Sequence, residues 1–350
     1  MAGESTIIFP KGNYAIRGDT VNVGNTAHRV LAVGQLLAAG SAVSGELQEQ
    51  IGNDNSWDTL FGEKSMLAAT IRAFKGTLSA PLNRATRIDA IGLEDLGGGN
   101  EAAGKVTFTV GPATASGSVT VIIGSSRSNS YELVFADTDN VTAIGDALVD
   151  LITADAKAQA SGINSAGDVD LTAEHKGTVG DGIGIKVVGS IPGVTIATTA
   201  MTGGAGDPVL TTLFDPVVTE RYQTVMYPAN WSFYTLTDFL DARFNPTGPL
   251  LDGIGITALV DSDTNLKIAA NAENSASLVI VGDSAVDDSQ YKGPAIFELP
   301  YETVGYVGAI RALRLTEGVN IASFVVGEAG LDAFGGVQLS SRPYANTPFP

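Results

Sequence analysis

Two glycine-rich seams constrain the fold most. One is Gly97-Gly98-Gly99-Asn100, the other Thr202-Gly-Gly-Ala-Gly206. They divide the 350-residue chain into stretches of different texture. Before the first seam, Arg29-Val-Leu-Ala-Val-Gly34 is a short apolar run of the kind buried on both faces of a parallel sheet. Ser56 to Leu60 opens a helix that Gly62 breaks. Ser65 can cap a second helix reaching Phe74, with Met66, Ala69, Ala73 and Phe74 near helical spacing. Thr86 to Ile91 alternates as the next strand. Strand, helix, strand is the α/β signature.

Between the seams the pattern changes. Lys105–Val110, Ser118–Ile123 and Tyr131–Phe135 read as consecutive strands separated by turn residues. Asn140 to Ile152 is an amphipathic helix with the stripe Ile144, Leu148, Leu151 and Ile152. Strands follow at Val169–Thr172, Gly184–Val188 and Val194–Thr198. After the second seam the α/β rhythm resumes. Strands are expected at Tyr222–Tyr227, Gly253–Leu259 and Ser277–Val281, and helices at Ser232–Phe244, Thr264–Asn274 and Tyr301–Leu315. The expected fold class is therefore α/β: an α/β domain interrupted by an inserted β-rich (α+β) domain. The divisions are an extended N-terminal arm over 1–28, the first part of the α/β domain over 29–96, the inserted β-rich domain over 97–206, and the second part over 207–350. The arm carries an apolar, β-prone stretch, Ser5-Thr-Ile-Ile-Phe9, suited to pairing with another subunit's sheet edge.

Composition removes whole classes of function. There is no cysteine, which excludes disulfides, zinc ribbons and thiol nucleophiles. Only two histidines exist, His28 and His175, too few for a histidine-rich metal site. The net charge of −18 opposes phosphate, so nucleic acid is not an expected partner. No apolar run reaches the roughly 18 residues of a membrane span. The N-terminus has no basic region followed by an apolar run, so synthesis is expected to leave the product in the cytoplasm.

The motifs that imitate chemistry each lack a required part. Gly99-Asn-Glu-Ala-Ala-Gly104-Lys105 resembles a phosphate loop, but Val106 and a strand follow where Ser or Thr and a helix are needed. Asp261-Ser-Asp263-Thr-Asn265 opens like a calcium loop, but Leu266 replaces the turn glycine and Ala272 the closing glutamate. Gly282-Asp-Ser284 lacks the second glycine of a nucleophile elbow, having Val286 there. Gly180-Asp-Gly182-Ile-Gly184 opens no helix and reads as a β-turn into a strand. The pairs Glu94-Asp95 and Asp287-Asp288 read as solvated loop carboxylates. No catalytic, cofactor-binding or metal-ligating residue is nominated, and no enzyme activity or cofactor is expected.

Several segments in order resemble the tail-sheath proteins of contractile-tailed bacteriophages, specifically the Mu-like group. They are Val30-Leu-Ala-Val-Gly-Gln-Leu-Leu-Ala-Ala-Gly40, Leu60-Phe-Gly-Glu-Lys-Ser-Met-Leu-Ala-Ala69, Leu171-Thr-Ala-Glu-His-Lys-Gly177, Met201-Thr-Gly-Gly-Ala-Gly-Asp-Pro208, Glu220-Arg-Tyr-Gln-Thr-Val-Met-Tyr-Pro228, and Asp241-Ala-Arg-Phe244 with Asp252-Gly. The resemblance implies a non-enzymatic sheath-type α/β subunit interrupted by a β-rich insertion. Such subunits stack in helical rings around the tail tube and contract by rearranging to drive it through the host cell envelope. The implied partners are copies of the chain itself, the tail tube protein, and baseplate and tail terminator proteins. The implied location is the virion tail, assembled in the host cytoplasm. Family members continue into a C-terminal domain facing the tube. Here the sequence stops at Ser341–Pro350, near where that domain would begin, so its absence is expected. The alternative is another tail, baseplate or host-adhesion protein whose β-rich part binds a surface glycan or protein.

Overall fold

The computed structural model describes residues 28–52, 55–78, 86–125, 128–228, 230–243, 251–260, 263–273, 275, 277–283, 299–316 and 338–339. In chain order the elements begin with β1 (His28–Leu36), β2 (Leu47–Gln48), α1 (Ser56–Phe61), α2 (Met66–Thr77) and β3 (Thr86–Glu94). Next come β4 (Glu101–Val110), β5 (Gly117–Ile123), β6 (Ser130–Phe135), α3 (Val141–Ala154), β7 (Ala160–Ser165) and β8 (Asp168–Lys176). A 3-10 turn at Thr178–Gly182 leads into β9 (Ile185–Val188) and β10 (Val194–Thr202). The chain then forms β11 (Thr224–Met226), α4 (Phe233–Arg243), β12 (Ile254–Val260), α5 (Asp263–Glu273), β13 (Leu278–Asp283), α6 (Pro300–Thr316) and β14 (Gln338–Leu339).

Helices and sheets are mixed, as expected of an α/β chain. The largest sheet has seven strands in the order β14-β13-β12-β11-β1-β3-β2. β13, β12, β11, β1 and β3 run parallel, and the two-residue edge strands β14 and β2 are antiparallel. β1 is buried along almost its whole length because both faces are covered. Val30 and Ala32 join one apolar cluster with α2 and α6, while Leu31 and Val33 join another on the opposite face. β3 lies on one side of β1 and β11 on the other, so the winding reverses between β1 and β11.

α2 begins where the sequence places it. The Ser65 hydroxyl accepts from the Ala68 N–H, 3.1 Å away, and caps the helix. Its burial exceeds the expected stripe: Leu67, Ala68, Thr70 and Ile71 are inside as well. α6 lies along it, and the approach is close because Gly305 and Gly308 occupy the facing positions. A methyl at Gly305 would collide with the Thr70 carbonyl oxygen and the Ala73 side chain. One at Gly308 would meet the Met226 sulfur at 2.6 Å, and that side chain can move.

Between β3 and β11 the chain builds two antiparallel sheets. One has the order β10-β4-β8-β7, the other β6-β5-β9. α3 packs against both, burying Ile144, Leu148 and Ile152 with Val106, Phe108, Val121, Leu133, Phe135 and Leu171. The alternating burial of β6 and β8 matches the alternating sequence. β7 was not expected, and Gly180–Gly184 lies across a 3-10 turn into β9 rather than a β-turn. Glycine-rich seams on their own favour flexible linkers, but these two are tied to each other. Asn100 and Ala205 form an antiparallel bridge, with N–H to O distances of 2.8 and 3.1 Å. Leu31, Val33, Ile91 and Leu93 of the parallel sheet belong to the same continuous apolar cluster as the β4–β10 segment.

The close helix contact yields a paired test. Gly305→Ala is expected to destabilise the protein by about 1–3 kcal/mol, despite alanine's better helix propensity. Gly76→Ala in α2, where the added methyl meets open space, is expected to stabilise it by up to about 1 kcal/mol. Urea unfolding midpoints measure both. Equal effects at the two positions would contradict the close approach.

Candidate functional site

In open α/β sheets, ligands bind outside the carboxyl ends of the strands where the winding reverses. Here that crevice is occupied by the chain itself. The end of β8 reaches over the carboxyl ends of β1 and β3 and places His175 there, buried. The Met66 N–H, at the start of α2, donates to His175 Nε2 at 2.9 Å. Nε2 must then carry a lone pair, so in the neutral ring the hydrogen sits on Nδ1 and is donated to Asp95 Oδ1, also at 2.9 Å. Asp95 further accepts from Gln35 Nε2 at 2.8 Å and from the Lys176 N–H at 2.9 Å. Burial alone would raise this carboxyl. The hydrogen bonds from His175, the Lys176 N–H and Gln35 outweigh it and hold the group below its ordinary value. Asp95 is thus an anchored structural carboxylate rather than the solvated one expected, whereas Glu94 is exposed. Lys64, just before the Ser65 cap of α2, pairs with Glu174 at 2.8 Å beside it.

Next to this corner lies a cavity of about 170 Å³, lined by Thr178, Val179, Pro228, Asn230, Leu259 and Tyr301 among others. Asp207 holds two of the lining residues, accepting from the Thr178 N–H at 2.8 Å and from Asn230 Nδ2 at 3.1 Å.

A second polar cluster sits toward the amino ends of the parallel strands. Asp89 on β3 is fully buried. It shares a face with Arg29 and Arg87, because Arg29 pairs with Arg87 and Leu31 with Asp89 across β1 and β3. Its carboxylate accepts from Arg87 Nε at 2.9 Å, the Gln50 N–H at 2.7 Å, the Tyr222 hydroxyl at 2.9 Å and Arg29 Nη2 at 3.1 Å. Burial pushes this carboxyl up, and those donors more than reverse it, leaving it lowered. The cluster was missed from sequence. Its one signal is a carboxylate at an inward position of the alternating run Thr86–Ile91.

The other sequence-flagged residues are placed as follows. Lys105 lies inside β4, paired with Asp168 at 3.3 Å and Asp170 at 3.0 Å across the sheet. Asp263 starts α5, while Asp261, Ser284, Asp287, Asp288 and the arm over 1–27 lie outside the described residues. The structure does not bring the two histidines together into one cluster. His28 Nε2 faces the Thr224 hydroxyl at 3.2 Å, and the same hydroxyl oxygen accepts from Arg311 Nε at 3.0 Å. Among the described residues, no group of three or more His, Asp or Glu side chains is arranged to hold a metal ion, and no helix is long and apolar enough to cross a membrane.

His28 gives a pH test. Burial, with the Arg311 charge behind it, pulls the ring from 6.5 down to about 4. Between those values the unfolded chain binds a proton that the folded chain does not, so stability falls as pH falls through that window. Moving from pH 7 to pH 5 is expected to cost about 2 kcal/mol. His28→Gln should remove that loss from the urea midpoints. An unchanged pH slope in the variant would show that His28 is not its source.

No protein-family model matches the chain, and no curated protein matches it. Among solved structures, the chain is similar to the crystal structure of the sheath tail protein from Desulfitobacterium hafniense, at 12% sequence identity and a TM-score of 0.33. The likeness covers 82% of this chain and 59% of that one, so the chain spans under two thirds of that protein's length.

Proposed function

We propose that this chain is a structural subunit of a contractile tail sheath of the Mu-like kind, with no catalytic role. The observation that carries the reading is the crossover from β3 to β11. The parallel sheet is interrupted there by two antiparallel sheets and a helix, then resumes on the other side of β1. That is the route the ordered sequence resemblance implies. On this reading residues 29–96 and 207–350 are the two parts of an α/β body. Residues 97–206 are an inserted β-rich domain, and 1–28 an arm offered to a neighbouring subunit.

The polar clusters support a structural rather than a chemical role. Asp89, Asp95 and His175 direct their hydrogen bonds to other groups of the protein, where they hold strands and a helix in place. The partners are further copies of the chain in stacked helical rings, the tail tube, and baseplate and terminator proteins. The subunit resides in the virion tail after assembly in the host cytoplasm. Contraction is a rearrangement between such subunits toward a lower-energy packing, with no bound nucleotide needed.

The test is assembly. The protein, supplied with the tube-facing domain that the resemblance implies and mixed with the tail tube protein of the same particle, should form helically striated sleeves around tubes in negative-stain electron microscopy. A protein that, so supplied, stays monomeric at every concentration, with or without tubes, would contradict the proposal.

A further inference from the structure

The first seam is preceded by Asp95 and the second is followed by Asp207. Both carboxylates reach the same short corner, His175 to Thr178. From one side, Asp95 accepts from His175 Nδ1 at 2.9 Å and from the Lys176 N–H at 2.9 Å. From the other, Asp207 Oδ1 accepts from the Thr178 N–H at 2.8 Å, and Oδ2 from the Thr178 hydroxyl at 2.8 Å. Gly177 sits between them with φ 93, in the left-handed region, and a side chain there would meet Asp207 Oδ1 at 2.6 Å. Its N–H donates to the Asn100 carbonyl at 3.0 Å, tying the corner to the bridged seams as well.

We propose that the seams form a lock rather than a hinge: the corner His175–Thr178, gripped by one carboxylate from each linker, fixes the orientation of the inserted domain on the body. The inference rests on the two-part reading of the chain and is independent of the sheath role. Glycine linkers alone would allow wide reorientation. Here reorientation requires breaking both charge-assisted grips together, since each linker is held to the same corner. A separate contact on α6 points the same way. The Tyr301 hydroxyl donates to Gln159 Oε1 at 2.6 Å, and Ser128 Oγ donates to Glu302 Oε1 at 3.1 Å, joining the helix N-terminus to the inserted domain.

The cysteine-free chain allows a direct test, because two introduced thiols are its only labels. Ile163→Cys on β7 and Tyr234→Cys on α4 replace side chains that are 73% and 72% exposed, one on each part. Spin labels at these sites report the distance between parts by pulsed electron resonance. The otherwise unaltered chain should give one narrow distance distribution. Asp95→Ala combined with Asp207→Ala should widen it by at least roughly twofold with the circular dichroism spectrum retained. Asp207→Asn should widen it less. A broad or bimodal distribution in the unaltered chain would overturn the lock, and so would an original width kept in the double variant. If the double variant fails to fold, the unaltered chain and Asp207→Asn decide the matter: a narrow distribution that Asp207→Asn leaves unwidened also overturns it. Sleeve formation is read separately, so failure of the lock leaves the sheath reading standing.

Discussion

One three-membered link organises the described structure: the Met66 N–H, the His175 ring and the Asp95 carboxylate. Each member comes from a different element. A helix start leaves N–H groups without partners inside the helix. Ser65 satisfies one of these at Ala68, and His175, arriving from β8, satisfies another at Met66. The imidazole can accept at Nε2 only while it donates at Nδ1, and Asp95 is the group positioned to receive that hydrogen. The link therefore fixes the start of α2, the end of β3 and the end of β8 together. It also fills the crevice in which a sheet of this winding would otherwise present a ligand site.

The rest of the molecule follows from that placement. With β8 held over the parallel sheet, the apolar residues between β3 and β11 merge with one face of that sheet into a continuous cluster. The other face is closed by α2 and α6, whose contact depends on small residues. At the opposite end of the strands, Asp89 draws Arg29, Arg87 and Tyr222 inward. A buried carboxylate is tolerable only with such donors around it. Its position near the outer end of β1 and β3 ties their register to the chain entering β11.

Much of this was legible in sequence. The buried run of β1, the Ser65 cap, the α3 stripe and the alternation of β6 and β8 are local patterns, and local patterns survive into the fold. β7 was not legible, because Ala-Ser-Gly-Ile-Asn-Ser has no clear alternation and only one β-branched residue, Ile163; its partner β8 and the helix α3 hold it. The polar ties were invisible for a different reason. Asp95 and His175 are separated by 80 residues, and Asp89 and Tyr222 by 133. Asp95, beside Glu94 and before a glycine run, looked like any solvated loop carboxylate. The glycines of the seams suggested freedom, yet two backbone hydrogen bonds between Asn100 and Ala205 remove much of it.

The link itself can be observed directly. Long-range nitrogen–proton NMR correlations on the histidine rings report which nitrogen carries the hydrogen. For His175 in the native protein, the account predicts a neutral ring protonated at Nδ1, with an unprotonated Nε2 hydrogen-bonded to the Met66 amide. A ring protonated at Nε2, or a Met66 amide that exchanges as fast as an exposed one, would contradict it.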